Sequence, residues 1–277
     1  MEIDEYQQKA AQTVTSKQPL IAILGLAGEI GSLYAVFKKR LRDKPPHEQF
    51  KSELAEELGD VLWYISAVST LHNIDLNEVA IASLEKTQAF FGPPQSPILD
   101  ETYSLNERLP DHMRVEFSQL EDGRSQMFFE GNPLGDTLSD NSHIEDKYRF
   151  HDAFHLAFMA HLHWSPVIRR LLGRKRKSVP SIDENEDGAR AAIVEEAVAA
   201  IIFTHAEEAD FFTSVESIPM KLVTLLMKMT SKFEVSKCSS AAWRLAIYDG
   251  CRAFQTLSRN RGGVVEIDLL SSTLILE

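Results

Sequence analysis

The chain has 277 residues, of which 44% are apolar and 25% charged, and it carries a formal net charge of -12. That length supplies one large or two modest cores, and the negative balance disfavours non-specific nucleic-acid binding, whose affinity comes mainly from neutralising phosphates. Cys238 and Cys251 are the only cysteines and form no CxxC pair, which argues against a disulfide scaffold and a structural zinc.

The N-terminus, MEIDEYQQKAAQTV, is acidic and polar where a signal peptide is basic and then apolar. No apolar run approaches the roughly 20 residues needed to cross a bilayer. A cytoplasmic protein without a membrane partner is expected.

The first ninety residues read as helix. Ile30, Leu33, Tyr34, Phe37 and Leu41 fall at helical spacing between Ile21 and Leu41, and Leu54, Leu58, Val61, Ile65 and Val68 do so between Lys51 and Leu71. The Pro45-Pro46 pair breaks the chain between these helices, and Asn73-Ile74-Asp75 sets up another from Leu76 to Phe90. A small helical bundle over residues 1–91 is expected. Gly92-Pro93-Pro94-Gln95-Ser96-Pro97 opens a Pro-rich linker, residues 92–104.

Beyond the linker, residues 105–277 read as a helix-rich α+β domain with a small antiparallel sheet. Val115 and Phe117 alternate with polar residues, Asp122-Gly123 is a turn dipeptide, and Met127 and Phe129 alternate on the return. Val265, Ile267 and Leu269 alternate near the C-terminus and can join the same sheet. Helices are expected over Glu145–Leu172, Asp187–Thr213, Pro219–Phe233 and Ala241–Ser258. The fold class is mainly α.

Glu53, Glu57 and Asp60 stand at i, i+4 and i+7, so three carboxylates share a helix face beside the apolar stripe. Glu29 can face them if the two helices pack antiparallel. Such a cluster is destabilising unless a cation is shared, and oxygen donors select magnesium, or manganese, over zinc. Solvated helix charges account for the spacing equally well. Gly25, Gly28 and Gly31 form a row that suggests close approach by another backbone or a ligand.

Three strings in this order, GLAGEIGSLYAVFKK at Gly25 to Lys39, ELAEELGDVLWYISAV at Glu53 to Val68 and LNEVAIASLEK at Leu76 to Lys86, resemble the MazG-like nucleotide pyrophosphohydrolases, an all-α pyrophosphatase group. The resemblance implies an oligomerising bundle, dimer or tetramer, that binds magnesium. It implies hydrolysis of a nucleoside triphosphate at the α-β phosphate bond to the monophosphate and pyrophosphate. Glu29 matches the first Glu of the family's ExxE, and Glu57 and Asp60 match its ExxD, which assigns these three as metal ligands. Ser32 replaces the second Glu of ExxE, so Glu53 or Glu56 is the candidate compensating ligand or catalytic base. Ser83 replaces a family Asn while Lys86 is retained. Lys38, Lys39, Arg42 and Lys86 are the candidates for phosphate binding. A nucleotide-sensing regulator with a weakened site is the alternative.

In the second half, His151, Asp152 and His155 fall within one helical turn, and Glu195-Glu196 lies in an otherwise apolar helix. Histidines at i and i+4 share a face and could hold a metal or a second catalytic site; hydrogen-bonded core histidines are the plainer reading. The YRFHDAFH run and the RRLLGRKRKS cluster resemble the extension that follows the MazG-like domain in some larger members. Arg169 to Lys177 packs six basic residues into nine positions, either a solvated element or a recognition site for polyphosphate or a nucleic-acid end.

Overall fold

The computed structural model describes residues 1–44, 46–140 and 142–277. The chain is mainly α with one antiparallel sheet, and it divides into two compact units, Met1–Thr87 and Gln88–Glu277.

The first unit contains α1 (Ile3–Ala11), α2 (Pro19–Asp43), α3 (His47–Leu71) and most of α4 (Leu76–Phe91). Pro19 opens α2 at a position where its missing N–H costs nothing. Pro46 precedes α3; Pro45, the other half of the expected break, lies outside the described residues. Asp75 caps α4 by accepting from the N–H groups of Asn77 at 2.8 Å and Glu78 at 3.0 Å. Gln7 of α1 ties in the same turn, accepting from Leu76 N–H at 2.8 Å and donating to the Ile74 carbonyl at 2.9 Å.

Helices α2 and α3 run antiparallel. Phe37 meets Phe50 edge-on, Lys39 meets Glu53, and Gly25 faces Tyr64, so advancing along one helix retreats along the other. A Cβ on Gly25 would stand 2.1 Å from the Tyr64 ring, while Gly28 and Gly31 face open space. Within the chain the glycine row thus marks one close contact, made by a side chain at Gly25.

Much of the apolar stripe of α2 is left uncovered: Leu20, Leu24, Tyr34 and Leu41 are exposed by 64%, 63%, 71% and 81%. By length and composition α2 is also long and apolar enough to cross a membrane. That corrects the expectation that no run approaches this length, because Glu29 is the sole charge between Pro19 and Val36.

The second unit surrounds α5 (Asp152–Leu162), every residue of which is buried. A helix apolar on all sides belongs at a core centre. α10 (Ser240–Asn260) packs closely along it, with Gly250 against Phe154, where a Cβ would stand 2.8 Å from the ring. α8 (Ala189–Glu208) and α9 (Met220–Met229) complete the helical layer, with the short α6 (Pro166–Leu171) and α7 (Pro180–Asn185) between α5 and α8. The expected single helix Glu145–Leu172 is instead a 3-10 turn at Tyr148–Phe150, then α5 and α6. Ser165 accepts from Ile168 N–H and Pro166 follows, a capping sequence that starts a new helix.

The sheet has the order β3-β2-β1-β4-β5, built from β1 (His112–Gln119), β2 (Ser125–Phe129), β3 (Asn132–Leu138), β4 (Gly262–Asp268) and β5 (Thr273–Leu276). Val115 pairs with Phe129 and Phe117 with Met127 across the hairpin, and Val115 pairs with Val265 on the other side. Met113, Val115 and Phe117 bury one face. β3, β5 and α7 lie outside the expected elements.

The Pro-rich segment is fastened to the second unit. Gln95 and Ser239 exchange two hydrogen bonds, Ser239 N–H to the Gln95 carbonyl at 2.8 Å and Gln95 N–H to Ser239 Oγ at 2.9 Å.

Candidate metal centres

In the first unit, Glu29 of α2 and Glu57 and Asp60 of α3 each bring a carboxylate oxygen to within 4.8 Å of the others. The antiparallel pairing makes this possible, since Glu57 and Asp60 lie almost one turn apart on one face of α3. Partial burial, followed by the charges of Glu29, Asp60 and Glu56, pushes the Glu57 carboxyl above its ordinary range. Tyr6 of α1 faces the cluster as well: burial and the Asp60 charge raise its phenol. Three oxygen donors with repelling charges form a donor set suited to a hard divalent cation.

The other expected site residues distribute around this trio. Glu53 accepts from Lys39 Nζ at 2.6 Å and from Gln49 at 2.9 Å, and these bonds hold its carboxyl below the usual range. Glu56 is exposed, and its charge bears on Glu57. Arg42 is paired with Asp43. Lys38 and Lys86 are exposed, and Ser32 is half-buried on α2. Lys38, Lys39 and Arg42 stand nine, ten and thirteen residues beyond Glu29, about 14, 15 and 20 Å along the helix axis, and Lys39 and Arg42 are each engaged by a carboxylate.

In the second unit, His151, His155 and Glu196 also place one ligand atom each within 4.8 Å of the others. His155 and Glu195 are completely buried. Glu195 is fully engaged: Oε1 accepts from His155 Nδ1 at 2.8 Å and Ser165 Oγ at 2.6 Å, and Oε2 accepts from Val167 N–H at 2.8 Å. His151 Nδ1 donates to the Tyr148 carbonyl at 3.0 Å, with the two rings stacked at 4.4 Å. Burial opposes charge on His155, yet Glu195 and Glu196 outweigh it and push the imidazole up to about 10. Asp152 is buried on the first turn of α5 outside the trio, and its charge acts on His155. Ser165, Val167 and Tyr148, which orient these groups, were not among the expected residues; the Ser165-Pro166 cap is the sequence signal that could have located them.

Four of the six basic residues of the cluster are engaged within the second unit, while Arg170 and Lys177 are exposed. Arg169 pairs with Asp100 at 2.7 Å, and Arg176 pairs with Asp187 at 2.7 Å and with Glu234. Arg174 donates to the Leu105 carbonyl, and Lys175 pairs with Asp183. An internal ion-pair network accounts for Arg169, Lys175 and Arg176, and the solvated reading fits Arg170 and Lys177.

Comparison with known families follows this division. The MazG nucleotide pyrophosphohydrolase domain matches residues 18–89, and the MazG C-terminal domain matches residues 94–277. The Gene 37 protein of Mycobacterium phage L5 is 35% identical over 68 residues, 24% of this chain and 60% of that protein. The chain therefore spans about three fifths of the length of that curated relative. No solved structure matches it significantly. With matches covering nearly its whole length, the chain belongs to the MazG family, joining a MazG nucleotide pyrophosphohydrolase domain to a MazG C-terminal domain.

Proposed function

We propose that the first unit hydrolyses a nucleoside triphosphate, NTP or dNTP, at the α-β phosphate bond, releasing the monophosphate and pyrophosphate. The observation that carries this reading is the convergence of Glu29, Glu57 and Asp60 from two helices, with Glu57 raised by partial burial and by its neighbours. These three residues would hold magnesium, or manganese in its place. A bound ion of this kind supplies neutralisation of the charge on the reacting phosphates.

Glu56 is the best candidate to accept the proton of the attacking water, because it is exposed next to the trio. Glu53 serves Lys39 instead, holding the ammonium in place on α2. Lys38 and Lys86 are the exposed cations that could meet the β and γ phosphates.

The uncovered stripe on α2 is the surface through which a second copy would assemble, giving a dimer or tetramer. Burial of that stripe between copies, in a cytoplasmic protein, accounts for its apolarity without a bilayer. Ser32 favours a second reading, a nucleotide sensor with a weakened catalytic site. The deciding experiment incubates the full chain with a panel of NTPs and dNTPs plus magnesium and identifies products. Monophosphate and pyrophosphate from at least one substrate are expected. Ligand-dependent thermal stabilisation without product from any would replace the enzyme by the sensor.

A further inference from the structure

The His151, His155 and Glu196 cluster belongs to the second unit, Gln88–Glu277, and not to the carboxylate trio of the first. Its geometry differs from a satisfied core histidine pair in three respects.

Both imidazoles have their Nδ1 committed. The Tyr148 carbonyl can only accept, so His151 Nδ1 carries its proton, and Glu195, whose two oxygens already accept from Ser165 Oγ and Val167 N–H, accepts the Nδ1 proton of His155 as well. A divalent ion would displace the proton that the two glutamates otherwise favour on His155 and take up the Nε2 lone pairs, a ring orientation that metal-binding histidines typically show.

His155 Nε2 is completely buried and has no hydrogen-bond partner among the described residues. Glu196 Oε2 lies 3.3 Å away, but the approach does not meet hydrogen-bond geometry. An orphaned ring nitrogen in a core is costly unless something else occupies its lone pair.

The spacing fits an ion. Glu196 Oε2 is 3.3 Å from His155 Nε2 and 3.4 Å from His151 Nε2. Ligand atoms about 2.0–2.1 Å from a common tetrahedral ion stand roughly 3.3–3.4 Å apart. The pair of imidazoles and one carboxylate excludes magnesium as the preferred occupant and suits a borderline ion.

We propose that His151, His155 and Glu196 form a second metal centre, for a divalent transition ion of the zinc class, with Glu195 as the positioning residue. Three protein ligands leave one tetrahedral position open, and the partly exposed Glu196 gives it a route to solvent.

Cobalt(II) distinguishes this centre from the carboxylate trio, because mixed nitrogen and oxygen ligation of low coordination number gives strong visible absorption and octahedral oxygen ligation gives little. The full chain is titrated with cobalt(II), followed by zinc(II) competition. Variants are Glu196→Gln and His151→Ala, whose side chains are 44% and 13% exposed and so tolerate change, and the double variant Glu57→Gln/Asp60→Asn. Circular dichroism controls for folding. Stoichiometric absorption in the wild type and the double variant, displaced by zinc, is expected, with affinity about 100-fold or more weaker in Glu196→Gln and His151→Ala. Absence of the bands, their persistence in both of those variants, or their loss in the double variant would overturn the proposal.

Discussion

Lys39 Nζ lies 2.6 Å from Glu53 Oε1, so this cation and this carboxylate satisfy each other one helix turn away from the Glu29, Glu57 and Asp60 trio. Residues that spacing alone treats as one acidic face therefore separate into a latch and a candidate metal centre. Glu53→Gln should keep pyrophosphate release within about fivefold, since a partly exposed pair is worth about 1 kcal/mol or less. Glu57→Gln and Asp60→Asn should each lose about 100-fold or more. Glu56→Gln should lower kcat by about 100-fold or more while leaving magnesium binding intact. Rates that fall equally in Glu53→Gln and Glu57→Gln would erase the distinction between latch and ligand.

Glu57 also sets a pH dependence. Its carboxyl is raised in the folded protein by burial and by Glu29, Asp60 and Glu56. Between the unfolded value and the raised one the folded state binds more protons, so this group's contribution to stability falls as pH rises through that window. Thermal unfolding of the metal-free chain should show a component that declines above the ordinary carboxylate range. That component should be missing in Glu57→Gln and cancelled by added magnesium. An identical pH profile for wild type and Glu57→Gln would contradict it.

How far these features can be read from the sequence depends on the range of the interaction involved. The boundaries of α2 and α3 follow from apolar periodicity and prolines, which act within a few residues, and the β1–β2 hairpin follows from alternation around Asp122-Gly123. Glu29 meeting Glu57 required only the assumption that adjacent helices pack antiparallel. Glu195 gripping Ser165 and Val167, or Arg169 reaching Asp100, joins residues far apart in the chain, and no local pattern encodes such a partner. The basic cluster misleads for the same reason: its charge density is visible, while Asp100, Asp187 and Glu234, which neutralise it, are scattered. The break between α5 and α6 was legible in Ser165-Pro166 and was hidden by the apolar periodicity on either side.

The exposed stripe on α2 makes a separate prediction about assembly. Leu24 is 63% exposed in a row with Leu20 and Ile21, and a charge placed there would have to be buried in any interface. Leu24→Glu should shift sedimentation from an oligomer to a single chain of 31.2 kDa with the helical content unchanged. A wild type that already sediments as a single chain would remove the interface, and the apolar stripe would need another explanation.

The ion-pair network around Arg176 should matter more to stability than its surface-like composition suggests. Arg176 and Asp187 are each 1% exposed, and the Asp187 carboxylate also accepts from Arg176 N–H at 2.7 Å and stands 3.6 Å from Arg169 Nε. Removing one partner of a buried pair leaves an uncompensated charge, at a cost of about 3–5 kcal/mol. Asp187→Ala leaves two guanidinium groups short of a carboxylate, with Glu234 and Asp100 as the remaining acidic partners. Trp164 and Trp243 are buried in the same unit, so in a Trp63→Phe background their fluorescence reports its unfolding alone. Urea titration should place Asp187→Ala at least about 3 kcal/mol below its parent. A loss under about 1 kcal/mol, the range of an exposed pair, would show that the network is solvated after all and would reopen the cluster as a ligand site.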